Sequence, residues 1–288
     1  MKKITFTMLI ITFLLFIGLG VTKNQSLADI SYSNENERDI YLNIMVSNKM
    51  QYEMVKSIVG DKHNVEFMFL NEEDSINYEY SEQTVKNLNN MDLFIYSGND
   101  YESWSSKIIS KLNSGVGTID LSRGIRTINY ETNDKVNPYY WTGVDEYKVA
   151  LYNIKSAVQD KDPLNRNLYE ENYNKKVKDI ENILKRVKES KDDFSKYTFV
   201  ALDDYLDYFY KSMGITVVKL NNETFKEYVN ENKLKPENVV VLKDALTTFN
   251  EEGYQVIELQ KYDGNKSPEE LFIYNINAID TIIKKTET

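Results

Sequence analysis

The stretch Asp162-Pro163-Leu164-Asn165-Arg166-Asn167-Leu168-Tyr169, running on to Val187-Lys188-Glu189-Ser190-Lys191, decides how the chain divides. Asp is a favourable N-cap and Pro a favourable first helical residue, so Asp162-Pro163 opens a helix. Leu164, Leu168, Tyr173, Val177, Ile180, Leu184 and Val187 recur at steps of three to five, one apolar stripe without Gly or Pro. At 1.5 Å per residue, a helix from Pro163 to Lys191 is roughly 40 Å long, enough to cross a whole domain. The steps do not form a strict heptad, which favours a packed helix over a coiled-coil arm.

On both sides of this helix the chain alternates short β-branched runs with amphipathic stretches, the pattern of parallel sheets flanked by helices. Before it, strands are predicted at Ile40–Val46, Val65–Leu70, Asp92–Ser97 and Gly117–Leu121, with helices at Asn48–Val59, Glu82–Asn89 and Tyr101–Leu112. After it, strands are predicted at Tyr197–Leu202, Ile215–Lys219, Val239–Leu242 and Gln255–Leu259. Ser267-Pro268-Glu269-Glu270 starts a last helix with a capping box. The expected fold is α/β: two (β/α) lobes with mainly parallel sheets, 38–160 and 196–288, joined by one long rigid helix at 162–192.

Residues 1–28 read as an export signal: Lys2 and Lys3, an apolar run from Ile4 to Val21, and the small-x-small site Ser26-Leu27-Ala28. An uncleaved transmembrane anchor is the other reading of that segment, since the run is near the lower length limit for a span. The net charge of −10 becomes more negative once the lysines of this segment are removed, which argues against nucleic acid and against anionic lipid surfaces. With no cysteine there is no disulfide, and stability must come from packing.

The same count limits the chemistry. Zinc sites are made from His and Cys with occasional carboxylates, and this chain has one His and no Cys. His63, in a polar turn before a strand, reads as a solvated loop residue. An all-oxygen site for manganese, calcium or magnesium is compatible with composition, with Asp203 and Glu258 as candidate oxygen ligands beside Asp74, Glu79 and Asp204. Enzyme motifs are missing: no Gly-x-Ser-x-Gly elbow, no Walker loop, no dinucleotide fingerprint, and too few His or Cys for the usual triads. We therefore expect no enzyme.

Three segments carry a resemblance. Asp74-Ser75-Ile76-Asn77-Tyr78-Glu79, Asn137-Pro138-Tyr139-Tyr140-Trp141 and Val200-Ala201-Leu202-Asp203-Asp204-Tyr205, with Glu102-x-Trp104 between the first two, resemble in series the metal motifs of the zinc and manganese receptors of ABC transporters. The resemblance implies a cleft between the lobes lined by Ile76, Tyr78, Glu79, Tyr139, Trp141, Asp203, Asp204 and Gln260, with Leu242 flanking. It places Ile76 and Tyr139 at histidine ligands, Asp203 at a third ligand and Gln260 near the last. Isoleucine has no lone pair, and a phenol with a pKa near 10 is a poor zinc ligand. The implied metal site is degenerate: no cofactor is required, zinc binding is not expected, and weak binding of manganese, calcium or magnesium is the remaining option. Asp203, left beside a phenol, should accept a hydrogen bond from Tyr139.

The resemblance further implies an extracellular or cell-surface solute-binding component, monomeric, meeting an ABC permease. The alternative is a secreted or surface interaction or adhesion protein on the same scaffold, for which the tyrosines Tyr78, Tyr80, Tyr101, Tyr139, Tyr140 and Tyr205 are suitable contacts, although packing is their commoner use. Without a cysteine for a thioether, the chain is expected not to be lipid-anchored.

Overall fold

The computed structural model describes residues 39–131, 133–189 and 194–285; residues 1–28, expected to be an export signal or anchor, lie outside them. From Tyr41 onward the described residues form one compact unit. It contains two four-stranded sheets. The first, in the order β2-β1-β3-β4, joins β1 (Asn43–Asn48), β2 (Asn64–Phe69), β3 (Leu93–Tyr96) and β4 (Gly117–Asp120). The second, β6-β5-β7-β8, joins β5 (Thr198–Ala201), β6 (Val217–Lys219), β7 (Val239–Lys243) and β8 (Gln255–Glu258). Every neighbouring pair is parallel, so each step needs a crossover. Helices α1 (Lys49–Val59), α2 (Glu72–Ile76), α3 (Glu82–Leu88) and α4 (Ser105–Ile109) lie in the first set of connections, α7 (Asp207–Met213) and α8 (Asn222–Glu231) in the second.

The α/β class with parallel sheets is as predicted, and its origin is visible in the central strands. Ile44, Val46, Phe94 and Ile95 in one sheet, and Val200 and Val239 to Leu242 in the other, are fully or almost fully buried. Near-continuous apolar runs of this kind require cover on both faces. A cluster of Leu88, Phe94, Trp104, Ile108 and Val116 packs one side of the first sheet, and Val200, Phe225, Val229, Val239 and Val241 do the same for the second.

Between the sheets the chain is helical twice. Helix α5 (Val144–Lys161) precedes α6 (Arg166–Glu189), and the two pack on each other, on α1, and on α7 of the second half. The sequence reading missed α5 because its N-cap is Gly143, which offers no side-chain cap. Its buried face, Val144, Tyr147, Ala150, Leu151, Ile154, Ala157 and Val158, nevertheless has helical spacing. The long helix begins later than predicted. Asp162 does not cap it: the Asp162 carboxylate accepts from Asn165 Nδ2 at 2.9 Å and Tyr169 Oη at 2.5 Å, and Pro163–Asn165 form a 3-10 turn instead. Helix α9 (Pro268–Lys285) starts with the predicted box, Ser267 Oγ accepting from Glu270 N and Glu270 Oε2 from Ser267 N.

His63 is the clearest correction to the residue reading. It is 2% exposed, not solvated. Leu42 N–H donates to its Nδ1 at 3.3 Å, which leaves the proton of the neutral ring on Nε2, facing Tyr169 Oη at 2.8 Å. Tyr169 in turn donates to Asp162. The imidazole thus ties the start of the first sheet to the corner between α5 and α6. Tyr169, fully buried, replaces the half-exposed Leu164 and Leu168 as the inward residue at this end of α6.

Cutting this relay leaves buried groups without partners, which is costly. His63→Ala should lower unfolding free energy by about 2–4 kcal/mol and Tyr169→Phe by about 1–2 kcal/mol. Urea denaturation followed by circular dichroism measures both; equal, near-zero effects would remove the relay from the account of stability.

Candidate functional site

The C-terminal ends of both sets of strands carry the residues singled out in the sequence, and a buried carboxylate organises the first set. Glu102 is fully buried. Its carboxylate accepts from Ser97 N at 2.7 Å, from Ser75 Oγ at 3.2 Å and from Ser47 Oγ. Burial pushes its pKa up to about 7 against the pull of these donors. Trp104 Nε1 donates to Ser75 O at 2.6 Å, so Glu102 and Trp104 together pin the residue before Ile76. That is the physical content of the Glu102-x-Trp104 pattern.

Beyond this pin the first motif turns away. Ile76, Tyr78 and Glu79 line an open groove with Asn77, Tyr80 and Lys107, apart from the rings around Tyr139. Tyr78 is also packed: its ring lies 4.7 Å from that of Phe69 and 5.4 Å from that of Trp104, and its hydroxyl meets Thr84.

The second and third motifs do come together. Buried Asn137 donates to Asp204 O at 2.7 Å and to Asp207 Oδ2 at 3.2 Å, and its carbonyl accepts from Tyr208 Oη at 3.0 Å. This brings Tyr139 onto Tyr205, ring centres 4.4 Å apart, with Tyr101 and Trp141 edge-on beside them. Tyr205 Oη donates to Glu72 Oε1 at 3.0 Å, a bond between the two halves. Burial pushes Glu72 up to about 7, opposed by that bond and by the charge of Lys261. Burial, then the charge of Glu72, raises the Tyr139 phenol above its ordinary value, so it stays neutral.

The carboxylates at the ends of β5 to β8 face lysines. Asp203 Oδ1 accepts from Tyr205 N at 2.9 Å and lies 3.7 Å from Lys261 Nζ; the expected bond from Tyr139 is not the one formed. Asp204 lies 3.3 Å from Lys219, which also meets Asp207. Asp244 Oδ2 is 2.6 Å from Lys261 Nζ. Burial opposes ionisation of Asp244, but Lys261 and the donors of Thr247 outweigh it and hold the carboxyl down to about 2. Glu258 is exposed, 3.7 Å from Lys243. Gln260 is clamped through its backbone by Asn275 and lines a small apolar cavity with Trp141, Tyr205 and Phe272. Among the described residues, no three His, Cys, Asp or Glu side chains are grouped to hold a metal ion. The sequence reading missed Glu72, Asp244, Lys219 and Lys261, since lysines and acids are too common in this chain to mark a site by type.

The family model described as zinc-uptake complex component A, periplasmic, matches residues 44–261. The chain belongs to this family. It is 26% identical over 226 residues to a metal ABC transporter substrate-binding lipoprotein of Streptococcus cristatus, covering 75% of this chain and 70% of that protein. To a manganese ABC transporter substrate-binding lipoprotein of Streptococcus gordonii it is 26% identical over 198 residues, 66% of this chain and 61% of that one. A metal-dependent lipoprotein of Bacillus subtilis shares the fold, with a TM-score of 0.69 at 18% identity over 84% of this chain and 98% of its own. The chain is thus of the metal-type ABC substrate-binding class, whose named members are receptors and not enzymes.

These relatives also correct the expectation that the chain is not lipid-anchored: they are named lipoproteins. The missing thiol addressed one attachment chemistry in one sequence, and it does not outweigh the relatives. Among the described residues no helix is long and apolar enough to cross a membrane.

Glu72 and Glu102 are both raised from 4.5 to about 7. A raised carboxyl favours the folded state fully below the unfolded value, and the contribution is lost as pH rises through the folded one. Stability should therefore fall between pH 5 and pH 8, by about 3 kcal/mol or less for each group. Glu72→Gln should remove the share due to Glu72. Urea midpoints across this range measure the slope, and an unchanged slope in the variant would show that Glu72 does not titrate there.

Proposed function

We propose that this chain is the solute-binding component of an ABC importer of the metal-receptor type, acting with a membrane permease, and that its ion site is altered. The observation that carries the reading is the state of the ligand positions. Ile76 is apolar and lies in a separate groove, Tyr139 is a neutral phenol in an aromatic stack, and Asp203 lies beside Lys261. Divalent ions need several free lone pairs converging on one point. The donors here are too few, and the carboxylates among them are matched with ammonium groups.

These side chains suit neither zinc nor a dedicated oxygen cage. The relatives are named for metal or manganese; this chain keeps their scaffold with a different set of side chains. The family likeness supports a permease as the partner, and the tie between Tyr205 and Glu72 supports a cleft that closes on its own contacts.

Elemental analysis of purified protein with a thermal-shift screen tests the altered site. A micromolar site would add about 1.4 kcal/mol at about 10 μM metal, a shift of about 3–6 °C in a domain of this size. We expect less than about 1 °C for zinc or manganese at that concentration. Stoichiometric zinc or manganese in the purified protein would overturn the altered site. Affinity capture from detergent-solubilised membranes of the producing cell should recover a permease and its ATPase; capture of neither would overturn the importer role.

A further inference from the structure

Lys261 follows β8, in the loop that returns to α9, and its ammonium faces acids from several loops. Its Nζ is 2.6 Å from Asp244 Oδ2 at the end of β7 and 3.7 Å from Asp203 Oδ1 at the end of β5. It also lies 5.3 Å from the centre of the Tyr205 ring, a cation-π distance. Tyr205 carries the hydrogen bond to Glu72 of the first half. The loop itself is held from that half as well: Lys49 Nζ, at the start of α1, donates to Gly264 O at 2.5 Å. Gly264 has a φ of 80°, a left-handed conformation that a side chain would strain.

We propose that Lys261 is a built-in cation, whose ammonium neutralises the strand-end acids Asp203 and Asp244 and, from the face of Tyr205, steadies the Tyr205–Glu72 tie between the halves without a bound ion. The inference rests on the altered-site reading above. Three features support it. Asp203 and Asp244 are largely buried, so removing their counter-charge leaves two like charges close together at low solvation. The ammonium is covalently tethered, so a free ion must compete with a very high local concentration of lysine. From its place the Lys261 charge reaches Asp203, Asp244, the Tyr205 face and, through its field, Glu72.

The chain has no cysteine, which allows a test at a single atom. In Lys261→Cys the thiol is the one alkylation site: 2-bromoethylamine restores an ammonium at nearly the length of lysine, and iodoacetamide leaves a neutral amide. Lys261→Met and Lys261→Arg give a second pair, and Lys219→Met, which strips a lysine from Asp204 and Asp207, is the control. Each protein is melted at low salt, alone and with about 1 mM manganese or about 50 mM methylammonium, and its radius of gyration is taken by small-angle scattering.

The neutral forms at Lys261 should melt about 4–8 °C below the wild type, with a larger radius of gyration. They should recover at least half of that loss with either cation, while the aminoethylated and Lys261→Arg proteins stay near wild type without additive. Lys219→Met loses its pairing with Asp204 and Asp207 but leaves the Tyr205–Glu72 tie, so its radius of gyration should stay at the wild-type value. Neutral forms as stable and as compact as the wild type, or a loss that neither charge restoration nor added cations reverse, would overturn the proposal. An ion found in the wild-type protein would instead overturn the altered-site reading, and failure to capture a permease would leave the role of Lys261 intact. Should the Lys261 variants fail to fold, titrating the wild type with manganese decides: stabilisation below about 100 μM contradicts a cleft already filled by its own cation.

Discussion

A fully buried carboxylate must have donors, and meeting that need at Glu102 shapes the first half of the cleft. Its oxygens take the Ser97 amide after β3, the Ser47 hydroxyl at the end of β1 and the Ser75 hydroxyl in α2. Three segments far apart in sequence are thereby fixed to one point at the strand ends. The turn carrying Glu72 to Ile76 is anchored at Ser75 by Glu102 and by Trp104 Nε1, and at Glu72 by Tyr205 Oη. The position of Glu72, and hence its bond to Tyr205 across the halves, follows from how Glu102 is satisfied.

Across the cleft the governing constraint is charge. Asp203, Asp204, Asp207 and Asp244 lie at the ends of parallel strands and in the first turn after them. Like charges this close are unfavourable in partly buried surroundings, and either an ion or cationic side chains must offset them. Lys219 and Lys261 do so, and Tyr205, stacked on Tyr139, lies between Lys261 and Glu72. Ammonium groups and aromatic rings thus surround these carboxylates.

Much of this fold was legible in the sequence, because parallel sheets and amphipathic helices write their periodicity into the chain. The central strands are near-continuous apolar runs, and Ser267-Pro268 marks α9 without ambiguity. Local signals failed where tertiary bonds took over the same groups. Asp162 looked like an N-cap but serves Tyr169 and Asn165, His63 looked solvated but is buried, and Gly143 starts a helix with no polar cap. At the site, the motif series pointed to Tyr139 and Trp141, whose rings lie edge-on to one another, and to the segment of Tyr205, which stacks on Tyr139. It could not show that Ile76 lies in another groove, or that Lys261 is the group that answers Asp203, since charge pairing between loops leaves no pattern in sequence.

Side chains at the strand ends can vary without endangering a scaffold of this kind. The sheets, the α5–α6 pair and the relay from His63 to Asp162 hold the two halves through contacts that do not involve the strand ends. A phenol such as Tyr139 adds aromatic surface at the cleft, which packs readily beside Tyr101 and Trp141. The carboxylates are different: an uncompensated acid in that environment is a continuing cost. A lysine within reach turns that cost into an ion pair, and its long stem lets it settle over an aromatic face while the ammonium finds the acids. The pairing of Asp203, Asp204, Asp207 and Asp244 with Lys219 and Lys261, beside the stacked rings of Tyr139 and Tyr205, is the arrangement these energetics favour.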